Sequence, residues 1–274
     1  MRRAPLGLSS ASLLVARATD PAPRRCLPTE GLRIRQLPLC TLVALHLAPG
    51  VLGVLAYVAA AGAIETAGYP PLAALLVAVA LVILPGELAM LWVARSRART
   101  ANQPLIPYRE PMPGQSWIGL VPALLAAAVL GSAILLPADT LVAQHAFAWL
   151  PTWYLRPIDV EAAGRYPAAA WALTLAAYVL LNGIAGPIVE ELYFRGWLLP
   201  RMARFGRWAP LLNTVLFSLY HLWAPWQFLS RVAAVSPFVY AVCWRRNVYL
   251  GMIVHVLLNT VGGALVVASI AGHL

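Results

Sequence analysis

Lysine is absent from this 274-residue chain: all twenty basic residues are arginine. Acidic residues are scarce as well, ten in all, so charged side chains make up only 11% of the sequence. A water-soluble domain carries about 25%. A fold that meets water on every side is thereby excluded. Cysteine is equally sparse. Cys26, Cys40 and Cys243 are scattered and odd in number, which is neither metal-ligand spacing nor a disulfide framework. The short alternating segments of a membrane β-barrel are missing. So are an internal repeat of the kind that builds many transporters and a G-x-S-x-G elbow for a serine nucleophile. The net charge of +10 comes with no motif that reads nucleic acid.

What is present is hydrocarbon. Hydrophobic residues make up 61% of the chain, arranged in apolar runs of about twenty residues, the length that crosses a bilayer as a helix. The expected fold is all-α, a polytopic helical membrane protein with about seven transmembrane helices, or eight if one is missed. Residues 1–36 hold Arg2, Arg3, Arg17, Arg24, Arg25, Arg33 and Arg35 among prolines, and read as a basic, disordered tail. Leu6 to Ala16 is interrupted by serines and makes a poor signal-peptide core. Spans are expected near 37–64, 71–94, 117–136, 168–204, 208–223, 226–244 and 248–270. Residues 139–150 are expected to lie in the interface as an amphipathic helix. The division is a tail (1–36), three helices with their connections (37–167) and a helical core (168–274).

Alternating seven spans puts nearly every arginine on one side. Only Arg156, Arg165 and Arg231 fall opposite, and Arg195 is internal. The positive-inside rule makes the rich side cytoplasmic, with the N-terminus inside. Arginine without lysine, together with abundant alanine, hints at a GC-rich bacterial genome and so at a bacterial inner membrane.

One stretch is costly in this setting. Gly186-Pro187-Ile188-Val189-Glu190-Glu191-Leu192-Tyr193-Phe194-Arg195-Gly196 follows an apolar run. Each charge near the bilayer centre costs about 2.5–3.5 kcal/mol on insertion scales, and intramembrane ionisable groups are functional by default. Glu191 and Arg195 are four apart and share a helix face. Glu190 lies about 100° round, free to face something else. Pro187 should kink the helix three residues earlier. Farther on, His221 closes Phe217-Ser218-Leu219-Tyr220-His221, and His255 and Asn259 stand four apart. Asn182 and Asn213 are the other polar candidates. His46, His145 and His273 lie outside the set. A base, a water orienter and N–H donors for an oxyanion would make a non-covalent amide hydrolase.

These residues carry a resemblance. Glu-Glu-x-x-x-Arg (190–195), Phe-x-x-x-His (217–221) and His-x-x-x-Asn (255–259), in this order on successive membrane helices, resemble the CPBP family of CAAX-protease and bacteriocin-processing (ABI) enzymes. The likeness covers about residues 180–262. It implies an intramembrane endopeptidase of the glutamic type that cleaves a membrane-associated protein or peptide. By the same resemblance Glu190 activates water with His221 as its partner. His255 and Asn259 form the oxyanion hole, and Glu191 and Arg195 support the site. No cofactor is implied and no nucleic-acid partner, and the lipid bilayer is the medium. Two alternatives stay open. One is a zinc protease with Glu190, His221 and His255 as ligands, since two histidines and a glutamate make a catalytic set. The other is a non-catalytic immunity or peptide-binding protein that uses the same cavity. The cavity is expected to open towards the arginine-rich side, because Glu190 lies three to four turns from Arg201 to Arg207 on one helix.

Overall fold

The computed structural model describes residues 34–274. The expected basic tail lies almost wholly outside them. Among the described residues the fold is helical throughout, apart from one isolated bridge between Arg109 and Asn247. Seven helices follow in order. They are α1 (Leu39–Thr66), α2 (Pro71–Thr100), α3 (Gly114–Ala146), α4 (168–205), α5 (Ala209–Tyr220), α6 (Phe228–Arg245) and α7 (Val248–Ala271). Five helical runs are long and apolar enough to cross a membrane, with α4 and α5 counted as one. This is an integral membrane protein. Helices are the natural solution, because hydrocarbon offers no partner to an unbonded backbone group.

Contacts at the two ends fix the alternation of direction. At one end the amide of Leu37 donates to the Arg201 carbonyl and that of Glu110 to the Arg246 carbonyl, and Val248 donates to Tyr108. Arg95, Arg97, Arg99, Arg201, Arg204, Arg207, Arg245 and Arg246 collect there. At the other end an aromatic cluster of Tyr57, Trp153, Tyr154 and Trp226 ties α1 to the connections after α3 and α5. Among the described arginines only Arg156, Arg165 and Arg231 belong to that end.

Three details depart from the sequence reading. Helix α3 does not stop near residue 136; it continues unbroken through Pro137 to Ala146. The separate interfacial helix over 139–150 is therefore absent, and Asp139 is buried on α3 itself. Helix α2 runs on past the expected residue 94 to Thr100. Finally, α5 is short. Gly206, at φ +57°, breaks the helical run after α4, a backbone turn that glycine accepts without strain. The twelve residues of α5 rise about 18 Å at 1.5 Å each, against about 30 Å of hydrocarbon. Its far end, His221, is therefore held below the arginine-poor surface.

Helix α4 carries the main irregularity. Val179–Ala185 and Glu191–Leu198 are wound as π-helix on either side of Pro187. Such segments recur at functional sites. Proline has no N–H to give. In α register that orphans the carbonyl of Gly183, and in π register that of Asn182. Both are taken up by α7: Asn259 Nδ2 donates to the Asn182 carbonyl at 2.9 Å, and Thr260 Oγ1 donates to the Gly183 carbonyl at 3.4 Å. The proline inside α4 thus supplies the acceptors that dock α7 against it.

Candidate active site

Glu190 and Glu191 sit where α4 changes from α to π winding, and they face different neighbours. Glu191 is fully buried and meets Arg195, one turn on, at 3.1 Å between Oε1 and Nη1. The same Oε1 accepts from His255 Nδ1 at 3.0 Å. Helix α7 comes this close because residue 251 is glycine; a Cβ there would collide with the Glu191 carboxylate and with Val242. Arg195, also fully buried, is flanked by aromatic faces. Its guanidinium carbon lies 4.0 Å from the ring centre of Phe217 and 5.5 Å from that of Phe238. Cation–π attraction of this kind strengthens once water is removed.

Glu190 is buried on the adjoining face. Tyr220 O–H donates to its Oε1 at 3.4 Å. Its Oε2 lies 3.8 Å from His255 Nε2. His255 therefore stands between the two glutamates. A carboxylate only accepts, so the bond to Glu191 assigns a proton to Nδ1 and turns Nε2 towards Glu190.

His221 ends α5. Its Nδ1 is 2.9 Å from the Phe217 carbonyl, which assigns that nitrogen as the donor and leaves Nε2 as an acceptor. Phe217, Tyr220 and Trp223 pack round the ring. No direct bond joins His221 to Glu190, but both line a small recess with Asn182, Tyr220 and Asn259. His221, His255 and Asn259 also line a larger cavity of about 580 Å³. Asn259 has spent one N–H on Asn182 and keeps a second.

The larger cavity does not open as the sequence suggested. Its walls include Leu155 to Ile158, Trp223, Ala224 and Gln227 from connections and Arg231 from the first turn of α6, all at the arginine-poor end. None of its lining comes from 101–113, 199–208 or 245–247. The cause is the short α5, which reaches from the arginine-rich end only as far as His221. Counting turns along α4 gave the depth of Glu190 but not the side left open.

Of the remaining candidates, Asn213 is structural. Its Nδ2 reaches the Phe194 carbonyl at 3.0 Å and His46 Nε2 at 3.1 Å, while His46 Nδ1 bonds the Leu42 carbonyl at 2.8 Å. This buried chain links α1, α4 and α5 and lies outside the two cavities. His145 and His273 each bond a carbonyl of their own helix on the exposed surface. Sequence reasoning passed over Glu87 on α2, a third carboxylate that is wholly buried beside Glu190 and Tyr220. The signal was available: it is a lone acid inside an apolar span.

Residues 172–261 match the family model described as Rce1-like, type II CAAX prenyl endopeptidase. That segment, about a third of the chain, is similar to this family. Neither a curated protein nor a solved structure matches the chain. The CPBP resemblance read from the three motifs thus stands over the segment that contains Glu190, Glu191, Arg195, His221, His255 and Asn259. It supports membrane protease chemistry in general terms. The matched segment takes in most of α4, all of α5 and α6, and the first half of α7, while α1 to α3 lie outside the match.

Proposed function

We propose that this protein is an intramembrane endopeptidase of the glutamic type. On this reading it hydrolyses a peptide bond of a membrane-associated protein or peptide with water activated by Glu190. The observation that carries the proposal is convergence: Glu190, His221 and Asn259 line one recess, and His221, His255 and Asn259 line the cavity beside it. Glu190 takes a proton from the attacking water, and His221 Nε2 accepts the water's other hydrogen bond. The hydroxide adds to the carbonyl carbon. The second N–H of Asn259 faces the developing oxyanion, and so does His255 when it carries a proton on Nε2 as well as on Nδ1; such fixed donors act on charge absent from the ground state. Glu190 then returns its proton to the leaving nitrogen, and the base is restored. Glu191 orients His255 and is itself neutralised by Arg195.

The direct test is a comparison of peptide termini in membranes that hold the parent or Glu190→Gln. New termini that need Glu190 are the expected result and would identify the substrate. Equal amounts of both proteins with identical termini would refute the proposal.

Access belongs to the same proposal. The rule that places arginine inside makes the open end the outer face, so substrate enters from outside the cytoplasm. A membrane-impermeant maleimide should label Gln227→Cys in intact cells and should reach Arg204→Cys only after permeabilisation, each measured against the parent. Labelling in the reverse order would invert the orientation.

The reaction as drawn needs no metal. Exhaustive chelation should leave cleavage by purified protein within about twofold of the untreated rate, while Asn259→Ala slows the chemical step by about 10²–10³, the usual loss of one oxyanion donor. One zinc per chain, lost and regained together with activity, would favour Glu190, His221 and His255 as ligands instead. Among the described residues no three of histidine, cysteine, aspartate and glutamate cluster in metal-binding fashion. Asn259, a poor zinc ligand and a good donor, also fits the metal-free scheme better.

A further inference from the structure

The buried polar cluster has one member that the reaction above does not use. Glu87 is 0% exposed on α2, where that helix packs on 186–198 of α4. Its charged and polar neighbours are Glu190, Arg195, the Tyr220 hydroxyl and Tyr193. By strict geometry neither of its oxygens closes a hydrogen bond, and the Tyr220 hydroxyl is the uncharged polar group near enough to interact with them.

Charge counting separates Glu87 from the other two carboxylates. Arg195 is closed on Glu191, and His255 is held between Glu191 and Glu190. Among the described residues Glu87 closes no ion pair of its own. A buried carboxylate without a counter-charge is too costly to keep ionised in such a setting. Tyr220 has one hydroxyl proton and faces two carboxyl groups, and it directs that proton to Glu190 Oε1. Its oxygen is then free to accept.

We propose that Glu87 is a positioning residue for the general base: held as the neutral acid, it donates to the Tyr220 oxygen and so keeps the Tyr220 proton on Glu190. The chain runs Glu87 O–H to Tyr220 O, then Tyr220 O–H to Glu190. Glu87 gains and loses no proton over the cycle. When Glu190 has taken the proton from water, the same chain holds its carboxyl plane in place until the leaving nitrogen receives that proton. The proposal rests on the assignment of Glu190 as base.

The test combines spectroscopy with kinetics. Infrared difference spectra between the parent and Glu87→Gln at neutral pH should show the carbonyl stretch of a protonated carboxylic acid in the parent and its loss in the variant. This readout needs no substrate. With a peptide that spans a Glu190-dependent cleavage site as the probe, Glu87→Met should lower kcat about tenfold at unchanged KM, the equivalent of one neutral hydrogen bond. Glu87→Gln keeps a donor for Tyr220 and should rescue the rate to within about threefold of the parent, with the acid limb of the pH profile unmoved. Tyr220→Phe combined with Glu87→Met should cost no more than either alone, as expected for two links of one chain.

Absence of the acid band in the parent would overturn the proposal, as would a shifted acid limb in Glu87→Gln or a parental kcat in Glu87→Met. Should Glu87→Met fail to fold, the infrared result and the rescue variant still decide. If the parent cleaves nothing, it is the endopeptidase reading that fails, and the acid band still reports on Glu87.

Discussion

Glu190→Gln is expected to abolish cleavage while leaving the fold intact. The amide has the size and shape of the carboxyl group and can still accept from Tyr220 O–H, now 3.4 Å from Oε1. It can also face His255 Nε2, 3.8 Å from Oε2. What it lacks is the ability to take a proton from water. A positioned general base contributes about 10²–10⁴ in rate, and the loss should fall in kcat because substrate binding does not use that proton. Arg195 keeps its partner Glu191, so no charge is orphaned and the unfolding midpoint should stay near that of the parent. Single-turnover rates and thermal unfolding in detergent measure the two halves separately. Parental turnover would end the assignment of Glu190 as base. A large drop in midpoint would give the carboxylate a structural role instead.

The two neighbouring glutamates show what a sequence of this kind makes legible. Spacing alone marked the pairing of Glu191 with Arg195, because an i,i+4 relation is local and survives any packing. Pro187 announced a local change of winding for the same reason, and the structure shows π-helix on either side of it. Span positions followed from the length of apolar runs, and most boundaries lie within a few residues of the helix ends. What depends on contacts between distant helices was not legible. His46 and Asn213 bond each other across 167 positions. Nothing local in either span signals the partner. Glu87 comes beside Tyr220 only because α2 packs on α4.

The direction of the cavity was hidden for a subtler reason. Hydropathy assigned the fifth span a full crossing up to Trp223, whereas helix α5 ends at Tyr220 and the chain turns inside the membrane depth. The motif histidine is thereby left at the floor of an opening. Asn259 carried a further ambiguity: its spacing from His255 suggested a donor pair, and the structure gives one of its N–H groups a docking task on the Asn182 carbonyl. One side chain with two donors can hold a helix and face a substrate, and sequence alone does not reveal the division.

Glu191→Gln should be the more damaging change for the fold, although it alters the same few atoms one residue along. Arg195 is 0% exposed and faces the rings of Phe194, Phe217 and Phe238. Its compensation is the Glu191 carboxylate at 3.1 Å. Removing one partner of a buried ion pair costs about 3–5 kcal/mol, because the other charge is left behind in a medium of low polarity. Against a typical total of about 5–15 kcal/mol, that lowers the unfolding midpoint steeply and favours aggregation on extraction from the membrane. The glutamine oxygen can still accept from His255 Nδ1, so the change isolates charge from hydrogen bonding. Arg195→Lys should not be neutral either, since a compact ammonium does not stack between rings as a flat guanidinium does. The decisive variant is the double one. Glu191→Gln with Arg195→Met removes both charges and keeps much of the volume, so it should unfold at a higher temperature than Glu191→Gln alone. That reversal is the signature of an orphaned charge rather than of lost packing. Thermal unfolding of the three variants in one detergent measures it. A double variant less stable than either single one would mean that the aromatic cage, and not the ion pair, is what holds Arg195 in place.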